Sequence, residues 1–390
     1  MKFTINRLPF LEQLTNVGRA VSGKATIPIL QGIKISVEED KITLTGSDSE
    51  ISIESTLYVE DETYHIQIEE TGSIVLTARL FSDIVRKLPT GQVTIESNAQ
   101  NQTLITSGKA HFTLIGQDGS AYPRLPDYSE EFRLIIPTIP FKNMVNQTIF
   151  SASNQESRPV LTGLHLVAEE GFIRGVATDS HRLSQRDVSM TETKEELGFD
   201  QLTIPKKSVV ELTRIVKDDQ IIEMLVLDKQ IIFFVDNVII YSRLLEGNYP
   251  ETDRLIPTEY ETRITVNSNT FHEAIDRASL ISHQGKNNVV QLSFDNEIVS
   301  LYVRGNERGE GVEHIEVKAV EGSPTTIAFN PDYMKEALKS FEGVDIHIDI
   351  QSAIRPMLLS PATYEEDNEE EVEDAKHNSL LQILTPIRTH

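Results

Sequence analysis

The sequence predicts three consecutive α+β domains of one design, each running helix, strands, helix, strands. Two observations carry this reading: a motif order that recurs at constant spacing, and an alternation of helical and strand periodicity inside each recurrence. Phe10, Leu11, Leu14, Val17 and Val21 form an amphipathic helical stripe. Ile27-Pro28-Ile29-Leu30-Gln31-Gly32 follows, then strand-like alternation through Ile33, Ile35, Val37, Ile42 and Leu44. The same order returns with Phe141, Met144, Val145 and Ile149, then Arg158-Pro159-Val160-Leu161-Thr162-Gly163, then alternation up to Thr178-Asp179. Phe10 to Phe141, Leu30 to Leu161, Gly32 to Gly163 and Asp48 to Asp179 are all 131 positions apart. A fainter third copy places Phe271, Ala274, Ile275 and Ala278 on one helical face, 130 positions after Phe141, ahead of the strand Val289-Val290-Gln291-Leu292-Ser293-Phe294, and its glycine is missing.

Each copy has a second half in which a short strand leads into a helix, over residues 74–88, 202–216 and 326–341. Strand hairpins come next. The clearest spans residues 221–245, where Asp228-Lys229 and Asp236-Asn237 separate three runs rich in Ile, Val and Phe, a β-meander pattern. The first two copies close alike, on Gly119-Ser120-Ala121-Tyr122-Pro123 and Gly247-Asn248-Tyr249-Pro250. Units of this length can each enclose a core, unlike solenoid repeats. The expected domains are 1–128, 129–257 and 258–390, joined by polar, Pro-containing connectors too short to be flexible tethers.

Of the 390 residues 60 are acidic and 36 basic, a net charge of −24, and 39% are apolar, enough for packed cores. There is no cysteine, which excludes disulfides, thiolate zinc sites and a cysteine nucleophile. Neither a signal peptide nor an apolar run long enough to span a membrane is present, so the expectation is a cytoplasmic protein without a membrane partner. Eight of the ten residues from 365 to 374 are acidic, which reads as a solvated loop.

Net negative charge argues against nucleic acid unless the charge is segregated. Basic residues do recur on equivalent helices: Arg79, Arg86 and Lys87; Lys206, Lys207, Arg214 and Lys217; Lys335 and Lys339. The first helices and their following loops add Arg7, Arg19, Lys24, Lys142, Arg158 and Arg277. Helices related by rotation would bring these onto one surface. No aromatic platform interleaves them, so the expected contact is with backbone phosphates and carries no sequence readout.

Catalytic constellations are thin. Asp179-Ser180-His181 supplies triad residue types, but neighbours on one turn point apart and cannot form the relay. The histidines contain no HxH or HExxH pattern and no P-loop is present, so no metal, nucleotide or other cofactor is expected. Leu380-Leu381-Gln382-Ile383-Leu384-Thr385-Pro386-Ile387-Arg388 is an apolar strand at the chain end, suited to a sheet or to the wall of a peptide groove.

Taken together, Thr26-Ile27-Pro28-Ile29-Leu30, Arg158-Pro159-Val160-Leu161-Thr162-Gly163, Ala177-Thr178-Asp179-Ser180-His181-Arg182-Leu183, Glu246-Gly247-Asn248-Tyr249-Pro250, Phe329-Asn330-Pro331-Asp332-Tyr333 and Pro386-Ile387-Arg388 give the chain a family likeness. It resembles the bacterial DNA polymerase III beta subunits, the sliding clamps, over essentially its whole length. The resemblance implies a head-to-tail homodimeric ring of clamp-type domains with helices inside and sheets outside. Such a ring encircles duplex DNA as a non-enzymatic processivity factor. Implied partners are the polymerase III alpha subunit or its equivalent, the clamp loader, other DNA polymerases, mismatch-repair proteins and ligase, all through short peptides seated between the second and third domains.

The matching groove positions are Leu161, Thr178, His181, Arg182, Leu183, Pro250, Arg254, Leu255, Asn330, Tyr333, Ile383, Leu384, Pro386, Ile387 and Arg388. The pattern departs from the family at Ser180, where glycine is common, and at Thr385, where an apolar residue usually precedes the proline; Arg355 borders the groove. For DNA contact the matching positions are Lys24, Gln155 and Arg158, with Arg79, Lys206 and Lys207 on the second helices. For the ring interface Phe112 pairs with Leu280 and Ile281. The competing readings are a peptide-binding repeat scaffold that never encloses DNA, and a hydrolase that uses His181.

Overall fold

The computed structural model describes every residue except 90, 129–132, 284–287, 296–297, 306–308, 363–379 and 389–390. The acidic run at 365–374 lies outside the described residues. The first repeat contains β1 (Lys2–Asn6), α1 (Arg7–Gly18), β2 (Gly32–Val37), β3 (Lys41–Ser47), β4 (Ile51–Tyr58), β5 (Gln67–Glu70), β6 (Gly72–Thr77), α2 (Ala78–Lys87), β7 (Gln92–Ser97), β8 (Gln102–Ser107), β9 (Ala110–Ile115) and β10 (Gln117–Asp118). The second contains β11 (Leu134–Ile136), α3 (Thr138–Thr148), β12 (Gly163–Glu169), β13 (Phe172–Thr178), β14 (Arg182–Ser189), β15 (Gln201–Pro205), α4 (Lys206–Ile215), β16 (Ile222–Val226), β17 (Gln230–Val235) and β18 (Val238–Arg243). The third contains β19 (Thr262–Asn267), α5 (Ser268–Ser282), β20 (Val290–Asp295), β21 (Ile298–Arg304), β22 (Glu310–Ile315), β23 (Ala319–Gly322), β24 (Thr325–Phe329), α6 (Pro331–Lys339), β25 (Asp345–Ile350), β26 (Met357–Pro361) and β27 (Leu380–Leu384). The helix–strands–helix–strands order thus occurs three times. One boundary differs from expectation: α1 ends at Gly18, so Val21 lies beyond the helix.

Two compact units result, Met1–Thr138 with Lys207–Leu244, and Ile139–Lys206 with Leu245–His390, so the division passes through the second repeat. The first unit has a five-stranded sheet, β5-β1-β7-β8-β9, and a nine-stranded one, β10-β6-β2-β3-β4-β18-β17-β16-β11. Alternate residues of β1 and β4 are buried, as expected of strands with one core face. Phe3, Phe10 and Phe81 join β1, α1 and α2 through edge-to-face contacts at 6.1 and 6.2 Å. The long sheet arises because β4 pairs with β18, Ser52 opposite Tyr241. β17 is buried on both faces. Ile232 and Phe234 cluster with Leu125 and Tyr128 of the connector, the Tyr128 and Phe234 rings lying 5.3 Å apart, and the Arg133 guanidinium is 3.6 Å from the Phe234 ring centre.

In the second unit the nine-stranded sheet is β15-β12-β13-β14-β27-β26-β25-β19-β23, beside a four-stranded sheet β22-β21-β20-β24. The terminal strand β27 lies between β14 and β26. Phe271, Ile275, Phe329, Met334 and Leu384 belong to its main core. A buried polar network crosses the β14–β27 pair: Gln382 Nε2 donates to Gln147 O at 2.9 Å and Ser340 Oγ at 3.0 Å, and the Ser184 hydroxyl bonds Gln382 Oε1. Each Gln382 amide atom is partnered, which favours one register for β27.

The recurrent glycines have a steric cause. A 3₁₀ turn of four residues, Pro28–Gln31 or Pro159–Thr162, delivers Gly32 or Gly163 against a neighbouring strand. A Cβ on Gly163 would lie 2.2 Å from Ile204 O, and one on Gly32 would lie 2.9 Å from Leu76 O. One basic residue is not where the repeat pattern put it. Arg7 is buried, its Nη1 donating to Val85 O at 3.3 Å and Arg86 O at 3.0 Å. These carbonyls end α2, where a cation meets unsatisfied acceptors and the negative end of the helix dipole.

Gly163→Ala is expected to cost about 1–3 kcal/mol, because the new methyl meets backbone that cannot move without separating β12 from β15. Gly18→Ala, with open space around it, is the matched control and leaves the melting temperature unchanged or raised. Thermal denaturation of the two variants against the parent measures both.

Candidate functional site

The groove positions all fall in the second unit and are organised by the turn between β13 and β14. Thr178 Oγ1 donates to Arg182 O at 2.6 Å and accepts from Ser180 N at 3.2 Å. Asp179 Oδ1 accepts from His181 N at 2.9 Å and Arg182 N at 3.1 Å, so the carboxylate closes the turn by bonding its own following amides. Ser180 sits at φ +77°, a left-handed conformation that costs a residue with a Cβ and suits glycine.

Arg182 is held from several sides. Its Nε donates to Asp179 Oδ2 at 3.1 Å, its Nη2 to Phe150 O at 2.8 Å, and its Nη1 is ion-paired with Glu336 of α6. The guanidinium carbon lies 4.4 Å from the Tyr333 ring centre, and the exposed His181 ring lies 6.4 Å from the same ring, tilted by 24°. Lys206 stands close by, half-buried, with its ammonium pKa held below the usual lysine value by burial and then by the Arg182 charge. The terminal segment docks onto this turn. Both Thr385 N, at 2.9 Å, and Thr385 Oγ1, at 2.7 Å, donate to His181 O, and Ile387 N donates to Ala328 O at 2.7 Å.

The groove positions separate into two sets. Leu161, Leu183, Ile383 and Leu384 are buried, each no more than 3% exposed; Leu183 and Ile383 pack with Val176 and Leu358, edged by Tyr249 and Ile256. Asn330 caps α6, accepting from Asp332 N at 2.9 Å. Accessible along the same side are His181, Pro250, Arg254, Leu255, Thr385 and Arg388, with Tyr333, Pro386 and Ile387 half-buried; Arg355 is exposed on the turn before β26. Arg254 pairs with Glu251 at 2.9 Å.

One feature escaped the sequence reading. Tyr249 stacks face to face on His165, ring centres 4.0 Å apart and planes within 2°, beside a cleft of about 280 Å³ that Pro250 and Arg254 also line. The Tyr-Pro pair was legible only as a closing motif; a partner 84 positions upstream has no local signal. Burial pushes the His165 imidazole down to about 4 and raises the Tyr249 phenol. In the same cleft Arg174 grips Asp187 with two bonds, at 2.9 and 3.1 Å, and reaches Asp253 at 3.3 Å.

The positions matched to DNA contact are unequal. In the first unit Lys24 and Arg79 are exposed, and Arg79 lines a broad cleft with Arg19 and Arg86 beside α1 and α2. Lys207 is engaged by Asp48 and by Ala20 O. Arg19 and Arg214 share Glu211, and Lys217 pairs with Glu12 at 3.0 Å. In the second unit Gln155 and Arg158 are exposed on the segment before β12, while Arg277 is engaged by Glu313 and Lys335 by Asp276. For the interface positions, Phe112 is 44% exposed on the edge strand β9; Leu280 is 70% exposed and Ile281 half-buried at the end of α5. Among the described residues no cluster of three His, Asp or Glu is placed to hold a metal ion, and no helix is long and apolar enough to cross a membrane.

Three family models match in order: the DNA polymerase III beta subunit N-terminal domain over residues 1–126, its central domain over 135–251 and its C-terminal domain over 253–374. The chain is 42% identical over 393 residues to the beta sliding clamp of Bacillus subtilis (strain 168), and 40% identical over 392 residues to that of Staphylococcus epidermidis, with 100% of each chain covered. Among solved structures it matches the DNA polymerase III beta chain of Streptococcus pneumoniae TIGR4 with a TM-score of 0.92 at 38% identity, and the DNA polymerase sliding clamp of Bacillus subtilis with a TM-score of 0.91 at 41% identity, again over 100% of both chains.

Ser180→Gly is expected to stabilise the protein by about 1 kcal/mol, since the turn demands positive φ there, and its denaturation midpoint reports the gain. His165 makes stability depend on pH. Its folded pKa lies below the unfolded value of about 6.5, so its contribution is complete above that value and is lost as pH falls toward 4. His165→Phe therefore flattens the decline in urea midpoint between pH 7 and pH 4.5; an unchanged slope would show that other groups govern it.

Proposed function

Since the chain belongs to the DNA polymerase III beta subunit family, we propose that it is a replicative processivity factor. It closes into a head-to-tail homodimeric ring of six domains around duplex DNA and tethers the polymerase there. On this reading the domains are 1–128, 129–257 and 258–390, and the chain is an accessory subunit whose partners perform the chemistry.

The observation that carries the proposal is a pair of open, apolar sheet edges. β9 ends the five-stranded sheet with Phe112 and Ile115 exposed, and β22 ends the four-stranded sheet with Val312 exposed, packed against α5, on which Leu280 is also exposed. Open edges of this kind are templates for pairing. The two edges differ from one another, so their contact is heterologous, and with two copies it closes. Duplex phosphates then meet Lys24, Arg79, Gln155, Arg158 and Lys206, with Lys207 contributing if it exchanges Asp48 for phosphate. Loose contact allows sliding.

Polymerase, clamp loader, other polymerases, mismatch-repair proteins and ligase are assigned to the groove around His181, Pro250, Tyr333 and Thr385–Arg388. Leu255 and Ile387 offer apolar contact, and Arg388 offers a donor for carbonyl or carboxylate groups. Raising the local concentration of polymerase at the primer end needs only weak peptide affinity.

The decisive experiment loads the protein onto nicked circular plasmid with clamp loader and ATP, linearises the plasmid, and measures retention in high salt by gel filtration. Retention on the circle and loss on linearisation is expected; equal loss from both forms after demonstrated loading overturns the ring. Phe112→Glu is expected to convert the dimer to monomer in analytical ultracentrifugation. Arg182→Ala combined with removal of residues 385–390 is expected to weaken polymerase-derived peptides at least tenfold while the dimer persists, and undiminished affinity would remove the groove assignment.

A further inference from the structure

We infer that the first unit carries a second docking cleft, built on the same backbone device as the groove around His181, which takes an extended peptide with an acidic side chain next to an apolar one. The device is repeated residue for residue. Asp48 Oδ1 accepts from Glu50 N and Ile51 N, both at 3.0 Å, as Asp179 does from His181 N and Arg182 N. Ser49 N donates to Ser47 Oγ at 3.2 Å, as Ser180 N does to Thr178 Oγ1, and Ser49 has φ +82° against +77° at Ser180.

The strand that follows each turn is paired alike. Ile51 faces Ser242 and Ser52 faces Tyr241; Arg182 faces Leu384 and Leu183 faces Ile383. The first partners are 131 positions apart and the second 142 in both pairs, so Arg243 stands where Thr385 does. Its amide donates to Glu50 O at 3.0 Å, as that of Thr385 does to His181 O at 2.9 Å. Pro123 corresponds to Pro250 through the shared Tyr-Pro closing motif.

A cleft of about 220 Å³ opens over this turn, lined by Ile27, Leu30, Ser52, Arg124, Leu125 and Arg243 among others. Its chemistry is not that of the second unit. Glu50 replaces His181, Ile51 replaces Arg182, Ser52 replaces Leu183 and Ser242 replaces Leu384, so the guanidinium–aromatic clamp is gone and the wall is hydroxylic. Arg124 and Arg243 are exposed and have no ionic partner among the described residues, and Glu50 is the one carboxylate in the lining described. Two cations against one anion, on a chain of net charge −24, select an acidic ligand. Ile27, 45% exposed at the rim, and Leu125 provide the apolar seat. The peptide class of the ligand rests on the reading of the His181 groove as a peptide site, whereas the preference for acid rests on Arg124 and Arg243 alone.

The probe is fluorescein-labelled Glu-Leu-Asp-Leu-Glu, with Gln-Leu-Asn-Leu-Gln as its neutral counterpart, titrated by anisotropy against the full-length protein. The acidic probe is expected to bind at least tenfold tighter than the neutral one. Affinity is expected to stay within threefold when the groove is disabled by Arg182→Ala with removal of 385–390. It falls at least tenfold in the double variant Arg124→Glu, Arg243→Glu, and equally in Ser52→Trp, which fills the cleft without changing charge. Loss with the disabled groove alone would put the probe in that groove and overturn the second site. Loss on charge reversal but not with Ser52→Trp would mean general attraction and overturn it too, as would no binding to any form. The groove reading is judged separately by a polymerase-derived peptide on the same variants: its failure there leaves the acidic probe still decisive for the cleft.

Discussion

Backbone pairing across the repeat junctions is the constraint from which the other features follow. β4 of the first repeat is zipped to β18 of the second over five residue pairs, and β14 of the second to β27 of the third over five more. In each case a strand that would be an open edge in an isolated domain has its amides and carbonyls satisfied by the neighbouring repeat. Within each unit, adjoining repeats therefore share one continuous sheet. The connector residues Leu125 and Tyr128 pack on β17 and Arg133 lies over its Phe234 ring, so the junction in the first unit is packed as well as paired.

The same pairing places the proposed groove. Because Leu183 must oppose Ile383, the terminal segment leaves the sheet beside the β13–β14 turn, and Thr385 reaches His181 O with both its amide and its hydroxyl. A one-residue slip of β27 would exchange its two buried faces, taking Ile383 away from Leu183 and Val176 and taking Leu380 and Leu384 out of the main core, and it would also strand Gln382, whose three described bonds fix it at the centre of the pair. Register, burial and the position of the chain end are thus one requirement. Arg182 then serves chiefly to lock the turn onto α6 and the Phe150 carbonyl, leaving His181, Tyr333 and the terminal residues as the accessible face.

What was legible in the sequence is what periodicity and spacing encode. The helical stripe at Phe10, Leu14 and Val17, the meander and the recurrent glycine each depend on neighbours in the chain or on a constant offset, and each appears as an element or a close approach. Long-range partners were not legible. Nothing near Arg7 indicates that it faces the end of α2, nothing near Tyr249 indicates His165, and Leu161 and Leu384, which read as possible groove walls, are both buried, Leu384 because β27 lies between β14 and β26. The basic residues show the same limit. Their recurrence on equivalent helices was visible, but Glu12, Asp48, Glu211, Asp276 and Glu313, which engage several of them, are scattered among loops, strands and other helices.

The two turns at Asp48 and Asp179 separate what the backbone needs from what the surface is free to vary. Both retain an aspartate that accepts two amides, a hydroxyl residue at the strand end and a residue at positive φ, because the reversal leaves two amides that need an acceptor and bends the backbone through the left-handed region. The residues that follow vary more freely: Glu50 and His181, or Ile51 and Arg182, donate the same backbone amides to the aspartate while their side chains differ in chemistry, and Arg182 adds a side-chain bond to Asp179 that Ile51 cannot make. A scaffold of this kind can hold the geometry of a docking surface constant while its charge and polarity diverge from one repeat to the next, which is how a single fold unit can present distinct surfaces along one chain.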